Sequence, residues 1–371
     1  MTHRARILLL IPHLGGGGAE QVTTLLAENL SPEKYELHLG LITHGCIGSA
    51  TIPSCVQVHR LGASRVRASA IPLMRVVWQL RPEVILSSMA HLNFLVLLLR
   101  PFFPPRTRVL VRQNGTVSSM LASGSLPVFT RLLYRILYPR ADWIICQSRA
   151  MAQDIFTETG IPPAKLAVLP NPVDMAAIRT CIQRSRRQSV GPGPHLLAMG
   201  RLSFEKGFDL LLEALAIIKL QFPSADLTIA GQGSEESLLW EHARSMRVDK
   251  AVRFTGHVDH PAALFHHATL FVLSSRHEGM PNVLLEAGAA GLPIAALPSS
   301  RGVVDLLTGK PGVFVAHEIS APALAVSIIH ALHSVRPGQR FQHGWIDEFR
   351  LDHAIGVYEG LIDATLNEEF A

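Results

Sequence analysis

The sequence predicts an α/β protein of two doubly wound parallel-sheet domains, and three observations carry that prediction. Short apolar runs alternate with longer helical patterns from end to end, the signature of strands buried on both faces beneath covering helices. The series runs once to about residue 170 and restarts at His195. Between the two series, Asn171-Pro172-Val173-Asp174 closes the first, and Arg184–Pro194 is polar and rich in Gly and Pro, as domain boundaries are.

In the first series, strands are expected near Arg6–Pro12, Glu36–Ile42, Glu83–Ser87, Arg108–Arg112, Trp143–Gln147 and Leu166–Leu169. Helical patterns fall between them, among them Ala19–Leu30 and Val128–Tyr138. The opening Ile7–Ile11 run resembles a signal peptide only superficially. It stops at Pro12 and passes into a glycine loop and a helical pattern, so it reads as a buried first strand. The second series places strands at His195–Met199, Asp226–Ala230, Val252–Thr255, Leu270–Ser274, Ile294–Leu297 and Val313–Val315. No stretch approaches the ~20 apolar residues of a membrane span.

Composition agrees with two globular domains: 371 residues, 48% apolar and 17% charged. The cysteines Cys46, Cys55, Cys146 and Cys181 are scattered without a C-x-x-C pair, which reads as reduced, unligated thiols in a cytoplasmic protein. The net charge of +5 is uneven. Residues 1–174 carry 17 Lys and Arg against 9 Asp and Glu, and residues 175–371 carry 17 against 20. The first half therefore faces something anionic. Without basic runs interleaved with aromatics, nucleic acid is excluded as a partner, and an anionic membrane surface fits better.

Three segments carry chemistry. Gly15-Gly16-Gly17-Gly18-Ala19-Glu20 follows the first strand and opens a helix, where glycines allow a tight turn and free N–H groups favour an anion. It lacks the G-x-G-x-x-G dinucleotide spacing. Gly200-Arg201-Leu202-Ser203-Phe204-Glu205-Lys206-Gly207 lies on a strand-to-helix loop, where two cations five positions apart can converge on one diphosphate. The third runs from Ser274 to Ala287. It puts Glu278 in a loop, Pro281 in the first turn of a helix and Glu286 on that helix, with the N–H groups of Gly279, Met280 and Asn282 between. Two such carboxylates can accept from sugar and ribose hydroxyls. A loop acid and a helix-start acid would each be unremarkable alone; the whole string is not.

The set G-G-A-E, N-P-V-D, G-R-L-x-x-x-K-G-x-D and S-x-x-E-G-x-P-N-V-L-L-E-A resembles glycosyltransferase family 4, the retaining nucleotide-sugar glycosyltransferases of GT-B fold. The resemblance spans nearly the whole chain. It implies two Rossmann-like domains facing a central cleft: residues 1–173 on the acceptor side, completed by a C-terminal helix from about 351 to 371, and residues 174–350 on the donor side. It implies that Arg201 and Lys206, beside Gly200, hold the donor diphosphate. It also implies that Glu286 binds the ribose, and that Glu278 with Gly279, Met280, Pro281, Asn282 and Val283 contacts the transferred sugar. Gly16, Gly17 and Gly18 would approach the donor phosphates or the acceptor. Family members often place a histidine against the sugar, for which His91 and Asn114, each after a strand, are the candidates.

The mechanism so implied retains the anomeric configuration and uses a UDP- or GDP-linked sugar as substrate, with no cofactor and no metal. Arg201 and Lys206 meet the charge developing on the diphosphate, and the sequence has no D-x-D triplet. His257, His260, His266, His267 and His277 lack a metal-ligand spacing. The acceptor so implied is a saccharide or lipid-linked glycan of cell-surface polysaccharide or lipopolysaccharide synthesis. A basic amphipathic helix from Val128, with Arg131 and Arg135 on one face, reads either as a membrane-surface element or as a helix packed on the first sheet. The chain is accordingly expected in the cytoplasm, peripheral on the inner face of the membrane. A nucleotide-sugar epimerase, a phosphorylase or a non-catalytic binding protein is the competing reading, disfavoured because Arg201, Lys206, Glu278 and Glu286 are all present.

Overall fold

The computed structural model describes residues 4–43, 52–123, 127–184, 193–258, 261–336 and 338–367. Cys46, His260 and most of the 184–194 seam lie outside them. The chain divides into two compact units, Met1–Pro172 with Asp352–Ala371, and Val173–Leu351.

The first unit holds β1 (Ala5–Ile11), α1 (Gly18–Asn29), β2 (Tyr35–Thr43), β3 (Gln57–Ala63), α2 (Ala70–Leu80), β4 (Val84–Ser88), α3 (Ala90–Leu99), β5 (Arg108–Arg112), α4 (Val117–Ser123), α5 (Pro127–Leu137), β6 (Trp143–Cys146), α6 (Arg149–Thr159) and β7 (Leu166–Val168). The second holds α7 (Met175–Arg184), β8 (His195–Met199), α8 (Phe208–Ile218), β9 (Asp226–Ala230), α9 (Glu236–Ser245), β10 (Val252–Phe254), β11 (Leu270–Leu273), α10 (Asn282–Ala289), β12 (Ile294–Ala296), α11 (Arg301–Leu307), β13 (Val313–Val315) and α12 (Ala321–Ser334). The last helix, α13 (Leu351–Asn367), lies almost wholly in the first unit.

Both sheets are parallel throughout. Their orders are β3-β2-β1-β4-β5-β6-β7 and β10-β9-β8-β11-β12-β13. Central strands such as β1 and β4 are buried on both faces, which is why they read as continuous apolar runs. The strand that sequence reading missed is β3. Its residues Gln57-Val58-His59-Arg60 are mostly exposed or half-buried at the sheet edge, so it needs no apolar run. Each sheet reverses its strand order once, between β1 and β4 and between β8 and β11. The crevice beyond the strand ends at such a reversal is where open α/β sheets bind ligands.

The helix α13 is tied to the first unit by polar contacts. Lys34 Nζ lies 3.1 Å from Glu359 Oε2 and 3.2 Å from Asp363 Oδ2, Tyr35 hydrogen-bonds Asp363, and the buried Arg112 donates to Tyr358 (3.3 Å) and Asn171 (2.5 Å). Within the second unit, Val173 pairs in parallel with Arg350, and its N–H donates to the Phe349 carbonyl (2.8 Å).

Candidate active site

In the second unit the loops leaving β8 and β11, the two strands at the order reversal, are stapled together. Ser274 Oγ donates to the Lys206 carbonyl (2.8 Å), and Arg276 N–H donates to the Glu205 carbonyl (2.8 Å). The Arg276 guanidinium forks onto Asp209 at 2.7 and 2.5 Å, donates to the Phe204 carbonyl (2.9 Å) and sits 4.1 Å from the centre of the Phe204 ring. Burial raises the Asp209 carboxyl, but the Arg276 hydrogen bonds and charge outweigh it and leave the pKa below its usual value. Gly207 makes the close approach feasible. Its φ is +61°, and a Cβ there would stand 2.1 Å from the Ser274 carbonyl oxygen.

That frame brings Lys206 and Glu278 together, Nζ to Oε1 2.6 Å. Ser275 Oγ donates to the same oxygen at 2.7 Å. Gly200 lies against the Lys206 stem, where a Cβ would meet Cδ at 3.5 Å. Arg201 differs from Lys206: it is exposed, and among the described residues its guanidinium has no partner. Gly279, Met280 and Pro281 are buried on the way into α10, and Asn282 and Val283 form its first turn. Pro281 is the residue capping α10 rather than a member of its first turn, since its ψ of 115° is extended. Glu286, on α10, is buried. A loop with one exposed and one paired cation, joined through Lys206 and Glu278 to the segment that leads into α10, is suited to an anionic ligand with hydroxyl groups.

In the first unit, the loop after β1 turns through Gly16 (φ +88°), and Gly17 caps α1, which starts at Gly18. Glu20 is buried beneath that loop, close enough that a Cβ on Gly17 would lie 2.5 Å from its Oε2, and 3.5 Å from His13 Nδ1. Across the strand-order reversal, β4 is followed by Met89, a non-glycine residue at φ +79° that caps α3 and leads to His91. His91 is exposed on the first turn of α3; desolvation by the surrounding protein, with His13 as the next cause, lowers its pKa. Asn114, after β5, accepts from Arg112 through Oδ1, while its buried Nδ2 has no partner among the described residues. Among the described residues no group of three His, Cys, Asp or Glu is placed to hold a metal ion.

The sequence profile described as Glycosyltransferase Family 4 matches residues 16–177, and that described as Glycosyl transferases group 1 matches residues 193–334, together most of the chain. The chain belongs to these glycosyltransferases. The family-4 match holds the Gly16–Gly18 loop, and the group-1 match holds the Lys206–Glu278 pair.

The glycosyltransferase is 34% identical over 218 residues to a glycogen synthase of Mycobacterium tuberculosis, covering 58% of this chain but only 50% of that protein. It thus spans about half the length of that relative. It is 26% identical over 310 residues to the Campylobacter jejuni N-acetylgalactosamine-N,N'-diacetylbacillosaminyl-diphospho-undecaprenol 4-alpha-N-acetylgalactosaminyltransferase, covering 80% of this chain and 82% of that one. The solved structure of Anabaena HepE in complex with UDP and glucose superposes with a TM-score of 0.80 at 18% identity, over 97% of this chain and 100% of that one. This likeness establishes the fold, GT-B with its two parallel-sheet units.

Sequence reading assigned no role to Ser275, Asp209 or Arg276. Asp209 and Arg276 each stand inside a quoted motif. Their pairing with one another, 67 positions apart, is visible only once β8 and β11 lie side by side.

Proposed function

We propose that this glycosyltransferase moves a hexose-type sugar from a UDP- or GDP-linked donor to a saccharide or lipid-linked glycan acceptor, with retention at the anomeric carbon. The observation that carries the reading is the stapled loop pair beyond β8 and β11. It joins Lys206 to Glu278, with the exposed Arg201 on the Lys206 loop and Glu278 on the segment that leads into α10.

In this reading Arg201 and Lys206 take the donor diphosphate, with Gly200 allowing its close approach. Glu286 holds the ribose. Glu278 and the backbone from Gly279 to Val283 hold the sugar. As the glycosidic bond breaks, negative charge moves onto the leaving phosphate and the two cations stabilise it without a metal cofactor. The acceptor hydroxyl attacks from the leaving-group side, and its proton passes to the departing phosphate. The first unit is the acceptor side, with Gly16, Gly17, Gly18, His91 and Asn114 as its candidate contacts. The Campylobacter relative, whose name carries diphospho-undecaprenol, supports a lipid-linked glycan acceptor, and relatives named for lipopolysaccharide core and amylovoran biosynthesis support a place in surface-polysaccharide or lipopolysaccharide synthesis. Such an acceptor places the enzyme on the cytoplasmic face of an anionic membrane.

A thermal-shift panel of UDP- and GDP-sugars tests the donor, since a ligand that binds only the folded chain raises its melting temperature. With the stabilising donor and an acceptor glycan, release of nucleoside diphosphate is expected, and the anomeric configuration of the product reads out retention. A chain that no nucleotide sugar stabilises does not have this function.

A further inference from the structure

The helices over one face of the first sheet present an unusual outer surface. α2, α3, α5 and α6 pack inward onto one shared core, through Leu73, Val77, Val96, Tyr134 and Ile155. A helix that buries one stripe in this way ordinarily turns polar groups outward. Here α2 exposes Ile71 (68%) and Trp78, and α3 with the turn after it exposes Leu98 and Phe102 (64%). On α5, Val128 (80%), Phe129, Leu132 and Ile136 are exposed. The apolar residues of α5 therefore do not all serve the sheet, and only Tyr134 and Leu137 are buried. The exposed groups adjoin one another: α5 packs on α3, and Trp78 Nε1–H donates to the Phe102 carbonyl (3.0 Å). An apolar groove lined by Ala70, Ile71, Met74, Trp78 and Leu99 opens there, with Arg75 on its wall.

Charge on this surface is equally one-sided. From Arg60 to Arg140 the sequence has twelve arginines, no lysine and one acidic residue, Glu83. α2, α3 and α5 contain no acid at all. Some of these arginines are committed: Arg100 and Arg108 share Asp142, Arg131 pairs with Glu158 at 2.7 Å, and Arg112 is buried. Arg75 and Arg135 are exposed, and their side chains have no hydrogen bond or ion pair among the described residues.

We propose that the outer face of α2, α3 and α5 docks on an anionic phospholipid bilayer. The apolar side chains enter the boundary between headgroups and acyl chains while Arg75 and Arg135 reach the lipid phosphates. A protein partner would answer the arginines with carboxylates at fixed positions around a defined apolar centre. Here apolar and cationic positions interleave over three helices, an arrangement that any anionic interface satisfies. No helix among the described residues is long and apolar enough to cross a membrane, so the attachment is interfacial. The proposal rests on the proposed function only for its purpose, bringing the enzyme to a membrane-borne acceptor.

Flotation with vesicles of phosphatidylcholine, with and without phosphatidylglycerol, tests the proposal. The chain floats with the anionic vesicles at low salt, stays behind with phosphatidylcholine alone, and loses binding as salt rises. Arg75→Ala and Arg135→Ala each lower partitioning about fivefold, and Phe129→Ser with Leu132→Ser removes most of it. UDP binding is measured in the same preparations. Intact UDP binding with no flotation overturns the docking surface and leaves the donor site standing, whereas flotation without UDP binding does the reverse. Variants that float like the unaltered chain overturn the proposal. So does a concentration-dependent dimer abolished by Phe129→Ser, which would assign the face to a second copy.

Discussion

Lys206 and Glu278 meet at 2.6 Å between Nζ and Oε1, from loops that follow different strands of the second sheet. Ser275 takes the same carboxylate oxygen. One of the two candidate phosphate-binding cations is thus paired with a carboxylate, while Arg201 is exposed and without a side-chain partner among the described residues. The pair divides the work. In the proposed reaction, Arg201 would be the charge open to an arriving donor, and Lys206 a charge that Glu278 would release to the leaving phosphate as the sugar is transferred.

Substituting the two cations should therefore have distinguishable effects. Lys206→Ala is expected to cut turnover about 10²-fold, by analogy with removing one donor to a developing oxyanion. Arg201→Ala should also slow turnover and, in addition, weaken nucleoside diphosphate binding by about tenfold, the scale of one charge-assisted hydrogen bond. Calorimetric titration with UDP and GDP, alongside steady-state rates, separates the two. Wild-type rates in both variants would remove the candidate site from consideration.

Glu278→Gln keeps the side-chain shape but takes away the countercharge of Lys206. Nucleoside diphosphate should then bind more tightly while turnover falls, because product is held by a cation no longer recaptured. Glu286→Ala should chiefly weaken donor binding. The opposite pattern, in kinetics and titration together, would mean that the two glutamates have exchanged roles.

Gly207→Ala places a Cβ 2.1 Å from the Ser274 carbonyl oxygen at a residue whose φ is +61°. Destabilisation of about 1–3 kcal/mol is expected from the backbone conformation, with the clash adding to it. Denaturant titration measures it. Donor affinity should fall in the same variant, since the displaced loop carries Lys206.

The Asp209–Arg276 fork gives the frame a pH dependence. The folded-state pKa of Asp209 is depressed, so its contribution to stability is fully present above about pH 4, the unfolded value. It is lost as pH falls through the folded value. Thermal unfolding of Asp209→Asn against the unaltered chain should show a stability gap that is constant from neutral pH down to about pH 4 and narrows in more acid solution. A gap that widens on acidification would contradict the depressed pKa.

Much of the fold was legible in the sequence because strands buried on both faces must be apolar throughout. Ile7–Ile11 and Leu270–Leu273 leave little other choice. β3 escaped notice for the converse reason, since an edge strand with exposed Gln57 and Val58 has no hydrophobic requirement to announce itself. α5 was ambiguous in sequence, because one amphipathic pattern serves both a helix packed on a sheet and a helix offered to a surface. The structure gives α5 both a packed and an open side: Tyr134 and Leu137 are buried in the core, while Val128, Phe129, Leu132 and Ile136 are exposed.

At the candidate site, the sequence by itself determined the residue types and their order along the chain: a glycine-flanked loop with two cations, and two glutamates eight positions apart. It could do so because chemistry fixes residue type at a short range that a motif records. Only the tertiary structure decided which cation is paired and which, among the described residues, is not, that Ser275 shares Glu278, and that Arg276 and Asp209 lock the two loops together. The Lys206–Glu278 and Asp209–Arg276 contacts join segments about 70 residues apart, and nothing local in either segment specifies them. They exist because β8 and β11 are neighbours in the sheet although two strands separate them in sequence.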